Sequence, residues 1–322
     1  DYITKISRNE LWNHGPHFGD WLFYSAPYDN DGRSAITDKY LIAQAFYIHS
    51  TQNLINAAKV LGNSTDATKY EELIKRLKSA FLREYVTPNG RMVSSTQTAY
   101  VLALNFDILP EEQRASAAQR LVDNIGAYGN HLTTGFLGTP YLCHVLTRFG
   151  HTDVAYKLLM QESYPSWLYP VKMGATTIWE RWDGIKPDGT FQDVGMNSFN
   201  HYAYGAIGDW MYKTVTGIQP DPAAPGYKQF RIQPRPGGGL THASAEFKSL
   251  YGTIASKWKI DGGKLKLEVS VPANTSAKIV LPGAASAAVT EGGKTVQTTA
   301  EGKDAALQVG SGNYAFEYNF AK

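Results

Sequence analysis

Up to about residue 218, apolar positions recur with the helical period in one segment after another, with polar loops between them. Residues 38–61 carry Leu41, Ile42, Ala45, Phe46, Ile48, Leu54, Ile55 and Ala58 at that spacing and stop at Gly62. Residues 66–85 follow, with Tyr70, Leu73, Ile74, Leu77 and Phe81 on one stripe and Pro88-Asn89-Gly90 as the turn. Further helices are predicted over 96–106, 110–125, 139–149, 152–162 and 198–216. Pro110 at a start and Gly150 past an end fit this scheme, because proline loses no needed N–H in the first turn and glycine accepts a left-handed cap. Helices this dense, grouped in pairs, suggest concentric rings, with inner helices apolar all round and outer ones amphipathic. No short repeat marks an open solenoid.

Near 219–225 the helical pattern gives way to Pro220-Asp221-Pro222-Ala223-Ala224-Pro225, a stiff linker. Beyond it the period changes to two. Residues 264–271 alternate apolar and polar, residues 277–281 follow after a Pro/Asn turn, and glycine clusters at 237–239, 262–263, 292–293 and 310–312 are spaced like hairpin turns. The chain thus reads as mainly α with a β domain: a helical domain over 1–218, then an antiparallel β-sandwich over 219–322. The sandwich has no aromatic platform of its own and is assigned a packing role. Its Gly237-Gly238-Gly239 is not a phosphate loop, since no helical pattern follows.

Composition narrows the function. A net charge of +2, with Lys and Arg dispersed, leaves no basic stripe for a nucleic acid. No apolar stretch approaches a membrane span and no signal peptide is visible, although a chain opening at Asp1 says little about its natural start. Cys143 is the single cysteine, which excludes an intrachain disulfide and any multi-cysteine metal site, and its apolar helical setting predicts a buried, inert thiol. Asp29-Asn30-Asp31-Gly32 hints at calcium ligation, but Tyr40 stands where an EF-hand loop needs its last acid, so the segment reads as a turn.

The chemistry concentrates around one carboxylate. The run Ala175 to Gly184 sets Glu180 between Trp179 and Trp182, where desolvation favours acid or base work and indole faces suit the CH groups of a sugar. The same spacing also suits two tryptophans packed on one face of a helical turn, with Glu180 and Arg181 turned to water. Asn197 to Gly205 places His201 at the mouth of the last helix, as a donor to sugar hydroxyls or as a helix-start histidine. Near the front, Asp20 again stands beside a tryptophan, Trp21.

Four segments carry a family resemblance: Phe18-Gly19-Asp20-Trp21-Leu22, Leu132 to Pro140, Ala175 to Gly184, and Asn197 to Gly205. In this order and spacing they resemble the bacterial alpha-L-rhamnosidases, over nearly the whole chain. The resemblance implies an (α/α)6 barrel with accessory β-sandwich domains, hydrolysis of terminal alpha-L-rhamnosides with inversion, and no metal or organic cofactor. It also implies a bacterial origin and a rhamnose-containing glycoside or polysaccharide as partner. The resemblance makes Glu180 the general base, and it places Asp20, Trp21 and His201 around the terminal sugar, with Trp179 and Trp182 nearby.

One departure stands out. The family's general acid belongs to an Asp-Glu-Arg run followed by Gly-Trp, upstream of the Gly-Asp-Trp element, and no such motif occurs here. About seven helices are predicted where a closed barrel of this type needs twelve. The chain therefore reads as lacking the N-terminal part of its ring, which becomes an expected partner. Two rivals remain, a non-catalytic sugar-binding homologue and another helical-ring enzyme such as a lyase or phosphorylase.

Overall fold

The computed structural model describes residues 2–25 and 35–320, so the predicted turn at 29–32 lies outside the described residues. The chain forms two compact units, Asp1–Ala206 and Ile207–Lys322.

The first unit is helical. After the short α1 (Tyr2–Ile6) come α2 (Lys39–Val60), α3 (Ser64–Tyr85), α4 (Gln97–Asn105), α5 (Glu111–Ala127), α6 (Thr139–Arg148), α7 (Thr152–Leu159) and the single turn α8 (Leu168–Lys172). Helix α2 packs on α3, α4 on α5 and α6 on α7, while α2 also touches α4 and α4 touches α6. Of these six, α2, α4 and α6 form an inner row and α3, α5 and α7 an outer row.

Sequence explains the division. In α4 every residue from Gln97 to Leu104 is buried, as inner helices require. Outer α3 buries one stripe, Ala67, Ile74, Leu77, Ala80, Phe81 and Tyr85, at helical spacing. Side chains set the starts: Asp38 accepts from the amides of Tyr40 and Leu41, Asn63 from Asp66 and Thr96 from Ala99. Gly62 and Gly150 follow the ends of α2 and α6 with φ of 69° and 87°, a left-handed backbone that glycine adopts at least cost.

The predicted helix over 198–216 is corrected. Residues 198–202 are irregular, a 3₁₀ turn spans Ala203–Ala206, and the helical stretch of the second unit, α9 (Ile207–Trp210) running into a π-turn at Met211–Val215, starts only at Ile207. The cause is competition for the backbone. Ser198 exchanges hydrogen bonds with Glu180, Phe199 O accepts from Thr177 Oγ1, and His201 N donates to Ile178 O, so these groups are not free to close helical turns.

The second unit continues with two sheets. One has the order β1-β2-β6-β10-β9, built from β1 (Ile218–Pro220), β2 (Gln229–Ile232), β6 (Ser276–Leu281), β9 (Thr299–Glu301) and β10 (Asp304–Val309). The other has the order β3-β4-β5-β11-β7-β8, built from β3 (His242–Ser249), β4 (Gly252–Asp261), β5 (Lys264–Val271), β7 (Thr290–Glu291), β8 (Lys294–Thr295) and β11 (Gly312–Asn319). The period-two segment at 264–271 is β5, with Leu265, Leu267, Val269 and Val271 buried. Gly262-Gly263 and Gly292-Gly293 close two-residue hairpins with positive φ at both positions, the geometry that matches strand twist.

Two expectations change. The 237–239 and 310–312 glycines link strands of different sheets and close no hairpin. Nor is the sandwich purely antiparallel: β2 pairs parallel with β6, because β3 to β5 intervene as a crossover between them.

Candidate active site

Glu180 lies beyond α8 in irregular chain, so the helical-turn alternative for 179–182 does not apply. Its N–H donates to Ser198 O at 2.8 Å, and its Oε2 accepts from Ser198 N at 2.8 Å. His201 N donates to Ile178 O at 2.9 Å, so segments 177–180 and 198–201 are laced together. The Glu180 side chain is half-buried, and among the described residues Oε1 has no hydrogen-bond partner. A carboxylate held by one oxygen, with the other available, suits a proton acceptor.

His201 joins this carboxylate to the front of the chain. Its ring stacks on Phe136 with centroids 5.0 Å apart, and Phe136 meets Tyr204 edge-on at 5.1 Å. The Phe136 amide donates to Trp21 O at 2.9 Å, and Tyr204 Oη donates to Leu22 O at 2.9 Å. Ala203 N approaches His201 Nδ1 at 3.4 Å, which favours the tautomer with its proton on Nε2. Trp21 is 38% exposed and meets Phe18 edge-on at 5.5 Å, so its indole is open to a ligand.

The other three expected site residues lie deeper. Trp179 and Trp182 are each 5% exposed. Trp179 packs edge-on to Phe199, and Trp182 stacks on Tyr204 at 3.8 Å and meets Trp167 edge-on. Trp182 also borders a cavity of about 820 Å³ shared with Tyr24, Tyr164, Arg181, Asp183 and Lys186. Asp20 is 3% exposed and accepts four hydrogen bonds: from Thr98 Oγ1 (2.5 Å) and Gly135 N (2.8 Å) at Oδ2, and from Leu137 N (2.8 Å) and Gly138 N (3.1 Å) at Oδ1. Burial pushes its carboxyl up, the four donors draw it down, and the net displacement is upward. The Trp21 backbone is thus tied to Phe136, whose ring stacks on His201, and the His201 segment is laced to the Glu180 segment, while Asp20, Trp179 and Trp182 are buried.

Sequence reasoning missed Ser198, which acts through its backbone and so leaves no side-chain signal. Phe136 and Tyr204 lie inside the segments Leu132 to Pro140 and Asn197 to Gly205, where the sequence alone assigns them no role. Among the described residues, no three His, Cys, Asp or Glu side chains gather to hold a metal ion, and no helix is long and apolar enough to cross a membrane. Cys143 is fully buried, and desolvation pushes its thiol well up.

Comparison with known proteins decides the family. The profile of the bacterial alpha-L-rhamnosidase six-hairpin glycosidase domain matches residues 1–215, and that of the bacterial alpha-L-rhamnosidase C-terminal domain matches residues 217–296. The chain belongs to the bacterial alpha-L-rhamnosidase family. An alpha-L-rhamnosidase of Streptomyces avermitilis is 46% identical over 315 residues, 98% of this chain and 29% of the relative. One from Formosa agariphila is 45% identical over 281 residues, 86% of this chain and 30% of the relative. The crystal structure of a Streptomyces avermitilis alpha-L-rhamnosidase complexed with L-rhamnose superposes with a TM-score of 0.88 at 45% identity, covering 98% of this chain and 29% of that one. The helical hairpins followed by a two-sheet β unit correspond to the six-hairpin glycosidase and C-terminal domains of this family. The chain spans under a third of the length of these relatives.

Proposed function

We propose that the protein is an alpha-L-rhamnosidase that removes terminal alpha-L-rhamnose in one inverting step, with Glu180 as general base. The observation that carries this reading is the Glu180 carboxylate itself, anchored through Oε2 by the Ser198 amide, on a segment bonded to the one that carries His201. In the proposed step, water attacks the anomeric carbon as Glu180 takes its proton, the bond to the leaving oxygen breaks, and that oxygen is protonated from the opposite face. Trp21 stacks on the sugar and His201 donates to a hydroxyl. Trp179 and Trp182 support these groups from behind.

The proton donor is proposed to come from outside the 322 residues, which contain no Asp-Glu-Arg element with a following Gly-Trp. That same observation favours, for these residues alone, the second reading of a sugar-binding part that cleaves nothing. The substrate would be a rhamnose-containing glycoside or polysaccharide, and the remainder of the same protein would complete the ring.

Glu180→Gln keeps shape and loses the proton acceptor. In the whole enzyme it is expected to lower the rate by roughly 10²–10⁴ while rhamnose affinity survives. Near-native turnover by that variant would sink the assignment.

A further inference from the structure

Asp20 was expected to touch sugar, yet its surroundings fit another task. An ionised carboxylate offers about four lone-pair directions. At Asp20 all four are taken, two donors on each oxygen, in a side chain 3% exposed. No direction is left for a ligand hydroxyl.

The donors come from two places. Thr98 stands on inner helix α4, and the amides of Gly135, Leu137 and Gly138 belong to the loop that carries Phe136. The two backbones lie almost in contact: a Cβ added at Gly135 would sit 2.3 Å from Trp21 O and 2.6 Å from Asp20 O. One at Gly138 would sit 2.4 Å from Thr98 Oγ1, so both glycines are sterically required for this closure. Phe136 N bonds Trp21 O, and the Phe136 ring backs His201 at 5.0 Å.

We infer that Asp20 is a positioning residue: its carboxylate ties the 135–138 loop to the 20–23 turn and to α4, and so sets the Phe136 ring against which His201 stacks. The link to catalysis rests on the proposed reading that Trp21 and His201 face the sugar; the link to Phe136 does not.

The test separates these two. In the whole protein with histidine Cε1 labelled, the His201 signal is identified by its loss in His201→Gln, and it reports the ring current of Phe136. Phe136→Leu moves that signal by removing the ring. Asp20→Asn, which must turn its amide N–H groups toward at least one of the existing donors, is expected to move it in the same sense. Thr98→Val deletes one donor at nearly constant volume and moves it less.

Rhamnose affinity gives the second readout. Asp20→Asn should weaken binding roughly tenfold in the parent and add nothing in the Phe136→Leu background, because the carboxylate acts through that ring. Equal losses in both backgrounds would put Asp20 on the sugar and overturn the inference. So would a His201 signal unmoved in both Asp20→Asn and Thr98→Val. If the unaltered protein binds no rhamnose, the rhamnosidase reading fails while the His201 signal still decides the positioning role.

Discussion

The two hydrogen bonds between Ser198 and Glu180 do different work. The one from Glu180 N fixes the backbone, and the one to Oε2 orients the carboxylate, so the carboxylate is held by its own segment and by a partner eighteen residues on. No side-chain motif encodes that partner, since any residue but proline offers an amide. Trp21 and His201 are different, because their chemistry lies in their side chains. Each alanine variant is expected to weaken rhamnose binding by about 1–3 kcal/mol, the scale of a lost stacking contact or buried hydrogen bond. Calorimetry on the whole protein checks this, and unchanged affinity in both variants would place the pocket elsewhere.

At the scale of elements, the inner helices do more than fill the core. Their buried polar residues hold neighbouring loops. Gln44 on α2 binds Glu10 O and Trp12 N; Gln97 on α4 binds His131 O at 3.0 Å and Thr133 N at 2.9 Å; Thr98 next to it binds Asp20. Gln97→Ala would leave two backbone groups unpaired and a void, so it should destabilise the protein by about 2–5 kcal/mol in chemical denaturation. Gln52→Ala on the exposed side of α2, where the amide reaches only Asn56, should stay within about 0.5 kcal/mol.

The contrast between these elements shows what was legible. Helices α2 to α7 appear within a few residues of their predicted limits, because caps and periodicity are local signals. The 198–216 segment has helical periodicity too, but its first residues bond to the irregular 177–180 segment, a partner distant in sequence. The parallel β2–β6 pair was invisible for a related reason: alternation marks a strand but does not name its neighbour. At the site, the residue types at 20, 21, 180 and 201 were readable through the family resemblance. Their division into accessible and buried members depended on burial, which no motif states.

At the scale of the whole molecule, the chain carries one accessible carboxylate of the proposed pair and spans under a third of the length of the Streptomyces avermitilis relative. The proposed mechanism places base and acid on different stretches of the complete enzyme, and this division makes a sharp test available. Glu180→Ala removes the base and leaves space beside the anomeric carbon. Azide needs no proton removed to attack there, so added azide should bypass the lost base while the leaving oxygen is still protonated by the intact acid. The decisive measurement is therefore turnover of an alpha-L-rhamnoside by Glu180→Ala in the whole enzyme, with and without sodium azide, with the product identified by proton NMR. The account predicts a slow variant that azide accelerates, releasing rhamnosyl azide of inverted configuration, and no such turnover from the 322-residue chain alone. Near-native hydrolysis by the variant without azide, or an azide product of retained configuration, would contradict it.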